Sequence, residues 1–403
     1  MKKKLVSVIL ASAMATSMLA GCGSAAAPAA SEAPAADAAS EAAPAASTEA
    51  AATEAAATDA AAATDAASEA ATEAAGSITK AAAEAVPDSI EADESLADKK
   101  VGVCIYQFSD NFMTLFREKL EEYLISMGFS KDNITIVDGA NDQGTQSGQI
   151  DNFIADKVDV LIINPVNSSS AATITDKVVA AGIPLVYINR EPDAAEEQRW
   201  ADEGMNVTYV GCDARQSGTM QGEIIADLGL DALDFNKDGD VDYIMIEGDP
   251  ENVDAQYRTE FSIKALEDAG LKVECLDDEV GNWDQATAQG LVANALAAHP
   301  ETEVVFCNND AMGLGALQAI EAAGRTVNKD IYLVGVDALT EALEDIKADK
   351  FTGTVFNDHL AQAYNSAVAA RNFLDGTGNA QYIGCDYVKV TTDNVDDILG
   401  MLQ

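Results

Sequence analysis

From Val101 onward the chain alternates short, continuous apolar runs with longer stretches in which apolar residues recur every three or four positions. The runs are VGVCIY (101–106), ITIVDG (134–139), VDVLIINP (158–165), IPLVYIN (183–189), YVGCD (209–213), VDYIMIEG (241–248), LKVECL (271–276), TEVVFCNND (302–310), IYLVGVD (331–337) and FTGTVFND (351–358). A run that is apolar throughout, rather than at alternate positions, predicts a strand covered on both faces. The stretches between them predict helices; Ala288, Leu291, Val292, Ala295 and Leu296 fall on one stripe at helical spacing. Strand then helix, repeated, predicts an α/β chain with parallel sheets and right-handed crossovers.

The 305 residues of 99–403 exceed what a single core organises. The expected fold is therefore two doubly wound parallel-sheet lobes, the first from 99–211 plus 357–391 and the second from 212–356 plus 392–403. The chain then crosses three times, near 211–213, 356–358 and 391–393, which makes a three-segment hinge.

Upstream the pattern changes. Lys2, Lys3 and Lys4 precede an apolar run over 5–19, too short for a comfortable membrane span, and this reads as a secretory signal over 1–21. Leu19-Ala20-Gly21-Cys22 resembles the bacterial lipobox, so Cys22 is expected to be acylated and to hold the protein on the outer face of the cell membrane. Residues 22–98 are mostly Ala, Ser, Thr, Pro, Glu and Asp with no aromatic. Such a segment cannot build a core, and it reads as a stalk reaching about 50 Å as a coil.

A formal net charge of −44 removes nucleic acid as a partner, because phosphate binding needs basic patches. Beyond Cys22 there are five cysteines, Cys104, Cys212, Cys275, Cys307 and Cys385, without metal-ligand spacing. They read as small apolar packing groups.

In doubly wound sheets ligands bind outside the carboxyl ends of strands. The residues found there are Asp110 and Phe112, Asn189 with Arg190 and Glu191, Asp254 and Arg258, Trp283 and Asp284, Asn309 and Asp310, Asp337, and Asn357 with Asp358. Any one Asp or Asn could be a helix N-cap. As a set they combine planar groups that make two hydrogen bonds each with aromatic rings, which suits a ring of hydroxyls with apolar C–H faces. Arg258 follows Asp254 by four positions, so one helix face would carry both.

The segments YQFSDNFM, YINREP, VDAQYRT, NWDQA, NNDAMGLGA, GVDALTEAL and GTVFND, in that order, resemble the galactose/glucose-binding branch of the type I periplasmic binding proteins. The resemblance runs along nearly all of 99–403. It implies a monomer that takes up galactose or glucose between its lobes, catalyses no reaction, and hands its cargo to an ABC permease; a chemoreceptor partner is left open. It implies a hexose sandwiched by Phe112 and Trp283 and ringed by Asp110, Asn189, Asp254, Arg258, Asn309, Asp337 and Asn357. Where the branch has a histidine two residues before Asp254, this chain has Asn252, which still donates to a hydroxyl. Ribose, arabinose and a furanose signal are the alternative ligands.

Residues 234–242 read as an EF-hand-like calcium loop: Asp234, Asn236, Asp238 and Asp242 supply side-chain oxygens, Asp240 a carbonyl, and Gly239 the sharp turn. The position for a bidentate acid holds Met245. The resemblance implies Glu303 in its place, with calcium as a structural cofactor.

Two other classes compete. A glycoside-processing enzyme could draw its two carboxylates from Asp110, Asp254 and Asp337; Arg258 and the amides argue against it by holding these acids ionised. The sensing domain of a repressor is excluded by the signal and the lack of a basic helix-turn-helix.

Overall fold

The computed structural model describes residues 78–402. Strands are numbered along the chain. The first sheet has the order β1 (Lys80–Ala82), β12 (Tyr382–Cys385), β6 (Val207–Cys212), β5 (Leu185–Ile188), β4 (Val160–Ile163), β2 (Val101–Ile105) and β3 (Ile134–Asp138), every pair parallel. The second has the order β10 (Tyr332–Val334), β9 (Val304–Cys307), β7 (Val241–Glu247) and β8 (Val273–Val280), again parallel. A short antiparallel ribbon, β11 (Thr354–Phe356) with β13 (Val388–Val390), is bridged to the β10 edge through Val334 and Gly353 and through Asp337 and Phe356.

The apolar runs are continuous because each strand feeds two cores. Val101, Val103 and Ile105 pack with Phe116 and Leu120, while Cys104 joins Phe153, Leu161 and Trp200 on the opposite face. In the second lobe Ile244 and Ile246 pack with Val292 and Ile320, and Tyr243 and Met245 with Ile225 and Leu266. Each such side chain withdrawn from water contributes roughly 1.5–3 kcal/mol. The predicted stripe is the inner face of the helix Gln285–Ala298, with Ala288, Val292, Ala295 and Leu296 buried and Leu291 half-buried.

Two boundaries differ from the sequence reading. The fold begins by Ile78, not Lys99: β1 pairs with β12, Asn365 clamps the backbone of Glu84 through both N–H and C=O, and Leu96 is buried in the core. Alanine-rich composition hides this, since Lys80–Ala82 has neither β-branched residues nor alternation and is held by backbone pairing and by the Lys80 ammonium over the Tyr382 ring at 4.6 Å. The third crossing lies at Asp386 and Tyr387, not at 391–393, because β13 pairs with β11 of the second lobe. Only two residues separate β12 from β13, so the two read as one strand. The signal and lipobox calls at 1–21 and Cys22 fall outside the described residues. Of the cysteines, Cys104, Cys212, Cys307 and Cys385 are buried and Cys275 is exposed on the edge strand β8.

The strand order reverses at β2, flanked by β3 and β4, and at β7, flanked by β8 and β9. These are the switch points where such sheets open a crevice.

Candidate functional site

One cleft gathers the ends of seven strands. Asp110 and Phe112 follow β2, Asn189 follows β5, Asn252, Asp254 and Arg258 follow β7, and Trp283, Asn309, Asp337 and Asn357 follow β8, β9, β10 and β11. All ten sequence-nominated residues line it, around about 320 Å³ of free space. Tyr106, Met113 and Arg190 line it as well. Arg190 was named among the strand-end residues but not carried into the ring; Tyr106 and Met113 were not named, although Tyr106 directly follows a strand end, which was the signal available.

Capping and lining turn out to be the same job. Asp110 Oδ1 accepts from Met113 N (2.7 Å), Asn252 Oδ1 from Asp254 N (3.0 Å) and Asn309 Oδ1 from Met312 N (2.9 Å), each starting a helix. The remaining capacity of each group is left for the cleft: the second Asp110 oxygen takes the Tyr106 hydroxyl (2.6 Å), and Asn252 keeps its amide donors.

Arg258 is the electrostatic centre. Its side chain, 3% exposed, donates to Ser217 Oγ (3.3 Å), Asn308 O (3.0 Å) and Tyr387 Oη (3.1 Å), stands 3.8 Å from Asp254 and faces the Trp283 ring at 5.8 Å. Burial pushes the Asp254 carboxyl up and the Asp337 carboxyl well up, against the lowering pull of Arg258. The expectation that Arg258 and the amides hold these acids ionised is therefore corrected for Asp254 and Asp337: burial outweighs the lowering pull, and charge by itself does not dismiss acid–base chemistry.

Three lining residues have left-handed backbone: Asn189 (φ 60°), Trp283 (φ 66°) and Asp337 (φ 121°). For a bulky Trp and for Asp337 such angles cost on the order of 1–3 kcal/mol and persist only where the surroundings enforce them. Gly248 makes room for the indole, since a Cβ there would overlap the Trp283 ring. Asp310 anchors the Asp337 turn by accepting from Leu339 N (2.9 Å) and Thr354 Oγ1 (2.7 Å). Three cleft atoms, Asp254 Oδ1, Trp283 Nε1 and Arg190 NH2, are buried with no hydrogen-bond partner in the protein.

The acidic loop lies elsewhere in the second lobe. Glu303 stands inside it, accepting from Phe235 N (2.5 Å), Asn236 N (3.3 Å) and Asp242 N (3.1 Å). Asp234 accepts from Lys237, Asp238 and Gly239 N, and Asp238 from Asp240 N. Burial, then the charges of Asp238 and Glu303, push Asp242 up to about 6. Among the described residues no three or more His, Cys, Asp or Glu are grouped as a formed metal set.

The family model of the periplasmic binding protein domain matches residues 101–378. The chain belongs to the periplasmic binding protein family. This binding protein is similar to the D-galactose/methyl-galactoside binding periplasmic protein MglB of Haemophilus influenzae, 35% identical over 320 residues covering 75% of this chain and 92% of that one. It is also similar to the ribose import binding protein RbsB of Bacillus subtilis, 29% identical over 277 residues (68% and 82%). Among solved structures, an ABC transporter solute binding protein from Bacillus halodurans with bound myo-inositol matches with TM-score 0.66 at 29% identity, covering 76% of this chain and 98% of that one. These relatives are substrate-binding proteins of transporters, not enzymes, and on that ground the glycoside-processing reading falls away. Among the described residues no helix is long and apolar enough to cross a membrane.

Proposed function

We propose that this periplasmic binding protein captures a pyranose hexose, galactose or glucose, in the inter-lobe cleft and presents it to an ABC permease once the lobes have closed on it. The observation that carries the reading is the set of buried, unpartnered atoms on Asp254, Trp283 and Arg190 in a cleft also lined by Phe112. Leaving a buried polar atom unpaired costs roughly 1–3 kcal/mol, so their concentration in one cleft points to a ligand rich in donors and acceptors. The two aromatic side chains suit the apolar faces of a sugar ring. The galactose relative, at 35% identity, tips the choice among monosaccharides. Anchoring through Cys22 belongs to the same reading.

Calorimetry against galactose, glucose, ribose, arabinose and myo-inositol tests it. Galactose or glucose should bind tightest, in the micromolar range or below. Trp283→Ala should weaken that binding by about 2 kcal/mol or more, as truncated anchor residues do, while the protein stays folded. Ribose or myo-inositol binding tenfold tighter than either hexose would overturn the choice of sugar.

We further propose calcium for the acidic loop. Its donors are all oxygen, as a hard divalent ion prefers, and burial, then the neighbouring carboxylates Asp238 and Glu303, raise the Asp242 carboxyl, a penalty that a cation relieves. Chelation should lower the melting temperature and Glu303→Gln should imitate it. A melting curve indifferent to both would reduce the loop to an acidic turn.

A further inference from the structure

Two cysteines stand where the chain passes between lobes. Cys212 is the last residue of β6 and Cys385 the last of β12, and the parallel register pairs them directly. Neighbouring strands run about 4.8 Å apart, inside the Cα separation of about 4.4–6.8 Å that a disulfide requires. Both residues end their strands, so the backbone beyond each is released from the ladder and can turn to bring the sulfurs together. Both are free thiols, 4% and 6% exposed. The Cys212 thiol also donates to Asn357 Oδ1 (3.6 Å), on the remaining crossing. The pair therefore touches all three hinge segments and one wall of the cleft.

We infer that Cys212 and Cys385 are a redox-responsive dithiol site, which a disulfide oxidant converts into a staple between the first and third hinge segments. The chemistry balances by thiol–disulfide exchange. One cysteine thiolate attacks a sulfur of the oxidant, which is a low-molecular-weight disulfide or an oxidoreductase disulfide. One oxidant thiol leaves and a mixed disulfide remains. The second cysteine attacks the protein sulfur of that mixed disulfide and expels the other oxidant thiol. Two electrons and two protons have then passed to the oxidant. Oxidising compartments let such bonds persist; only this point rests on the extracytoplasmic reading of the function.

Access controls the site. Burial, then the adjacent Cys385 thiol, push the Cys212 thiol well above its ordinary range, and a thiol that stays protonated is a poor nucleophile. Reaction therefore awaits a hinge excursion that wets the pair. Once formed, the staple ties two crossings together and removes the weaker of the two donors to Asn357 Oδ1, leaving Gln362 Nε2 (2.6 Å). The staple thus acts on hinge travel and on a cleft wall together.

The test uses the purified, reduced full chain, oxidised glutathione and peptide mapping by mass, and needs no sugar. The expected product is one cross-linked pair of peptides carrying Cys212 and Cys385, reversed by dithiothreitol and absent in Cys385→Ala and, as an independent second variant, in Cys212→Ala. Oxidised protein should melt several degrees higher than reduced protein, since the bond closes a long loop, and neither alanine variant should show that rise. Recovery of both cysteines as free thiols under conditions that glutathionylate the exposed Cys275 would overturn the site. A cross-link that leaves both melting temperature and the radius of gyration unchanged would overturn its action on the hinge. Because mapping reads the bond itself, failure here is distinct from failure to bind galactose.

Discussion

On the first-lobe wall of the cleft, Asp110 is half-buried and already occupied as a helix cap and as acceptor for Tyr106, and Asn189 takes a left-handed angle that asparagine tolerates. On the second-lobe wall, Asp254, Arg258 and Asp337 are 3–5% exposed, the guanidinium is held at three fixed points, and Trp283 and Asp337 sit in strained backbone. The first wall buries a single charge, Arg190 stacked on Tyr106, beside groups that keep ordinary geometry. The other has its charge buried and its geometry enforced before anything binds. The difference assigns the steps: the second lobe is the rigid recognition surface, and the first closes over it with Phe112. Groups fixed in advance lose less freedom on binding, which is where a preorganised wall gains affinity.

The largest effect expected comes from breaking the second wall. Arg258→Ala strands Asp254 and Asp337 among apolar neighbours without their cation, and removing one partner of a buried pair costs about 3–5 kcal/mol. Asp110→Ala on the first wall loses a cap and should cost about 1 kcal/mol. Denaturant unfolding of both variants measures the contrast. Equal costs would mean the second wall is no more preorganised than the first.

That contrast also shows what a sequence discloses. Nine of the ten nominated residues were legible because strand periodicity marks where each strand stops, and in doubly wound sheets the residues after a stop face the crevice; Asn252 came only through the family resemblance. Arg190, named only as a strand-end residue, and Tyr106, not named, stayed out of the ring for a physical reason: their roles come from each other. The Arg190 guanidinium stacks on the Tyr106 ring at 3.8 Å, a contact between strands set by sheet order, which periodicity does not carry. The same holds for β1, held by pairing rather than composition, and for the third crossing, fixed by the partner that β13 chooses. Local pattern discloses elements and their ends; register and pairing, and with them the Cys212–Cys385 neighbourhood, appear only in three dimensions.

A middle-sized effect sharpens the comparison from outside the cleft. Besides Arg190 in the cleft, the first lobe buries acidic groups near the hinge, where Glu197 is pushed up to about 8 by burial and then by Glu191, itself pushed up to about 7 by burial and then by Asp254. Lys80 and Arg215 pull both back down only partly. A carboxyl whose folded pKa exceeds its unfolded value of 4.5 holds its proton more tightly when folded. Its contribution is therefore present below pH 4.5 and lost as pH rises through about 8. Melting temperature should fall between pH 5 and pH 8 by several degrees, and Glu197→Gln, neutral throughout, should flatten the fall and raise stability at pH 8. A variant that melts with the parent's full pH dependence would remove Glu197 from the account and leave Glu191 as its source.

The smallest effect lies at the lip, where the two walls meet. Asn167 of the first lobe donates to Glu251 of the second (2.8 Å), and Arg190 reaches Asp249 (3.4 Å). These contacts span the cleft, so they exist only while the lobes are together and act on closure rather than on either wall. The Asn167–Glu251 bond is exposed, and a solvent-exposed polar contact contributes about 0.2–1 kcal/mol. Arg190 is 1% exposed, so its partner counts for more. Glu251→Ala should therefore weaken galactose binding by no more than about fivefold, the free-energy equivalent of that range, with melting unchanged; Asp249→Ala should weaken it further because it strands a buried guanidinium. Both should leave the unliganded protein more open by small-angle scattering. If Glu251→Ala cost as much affinity as Arg258→Ala, recognition would reside in closure itself, and the rigid second wall would be a consequence of shutting rather than its template.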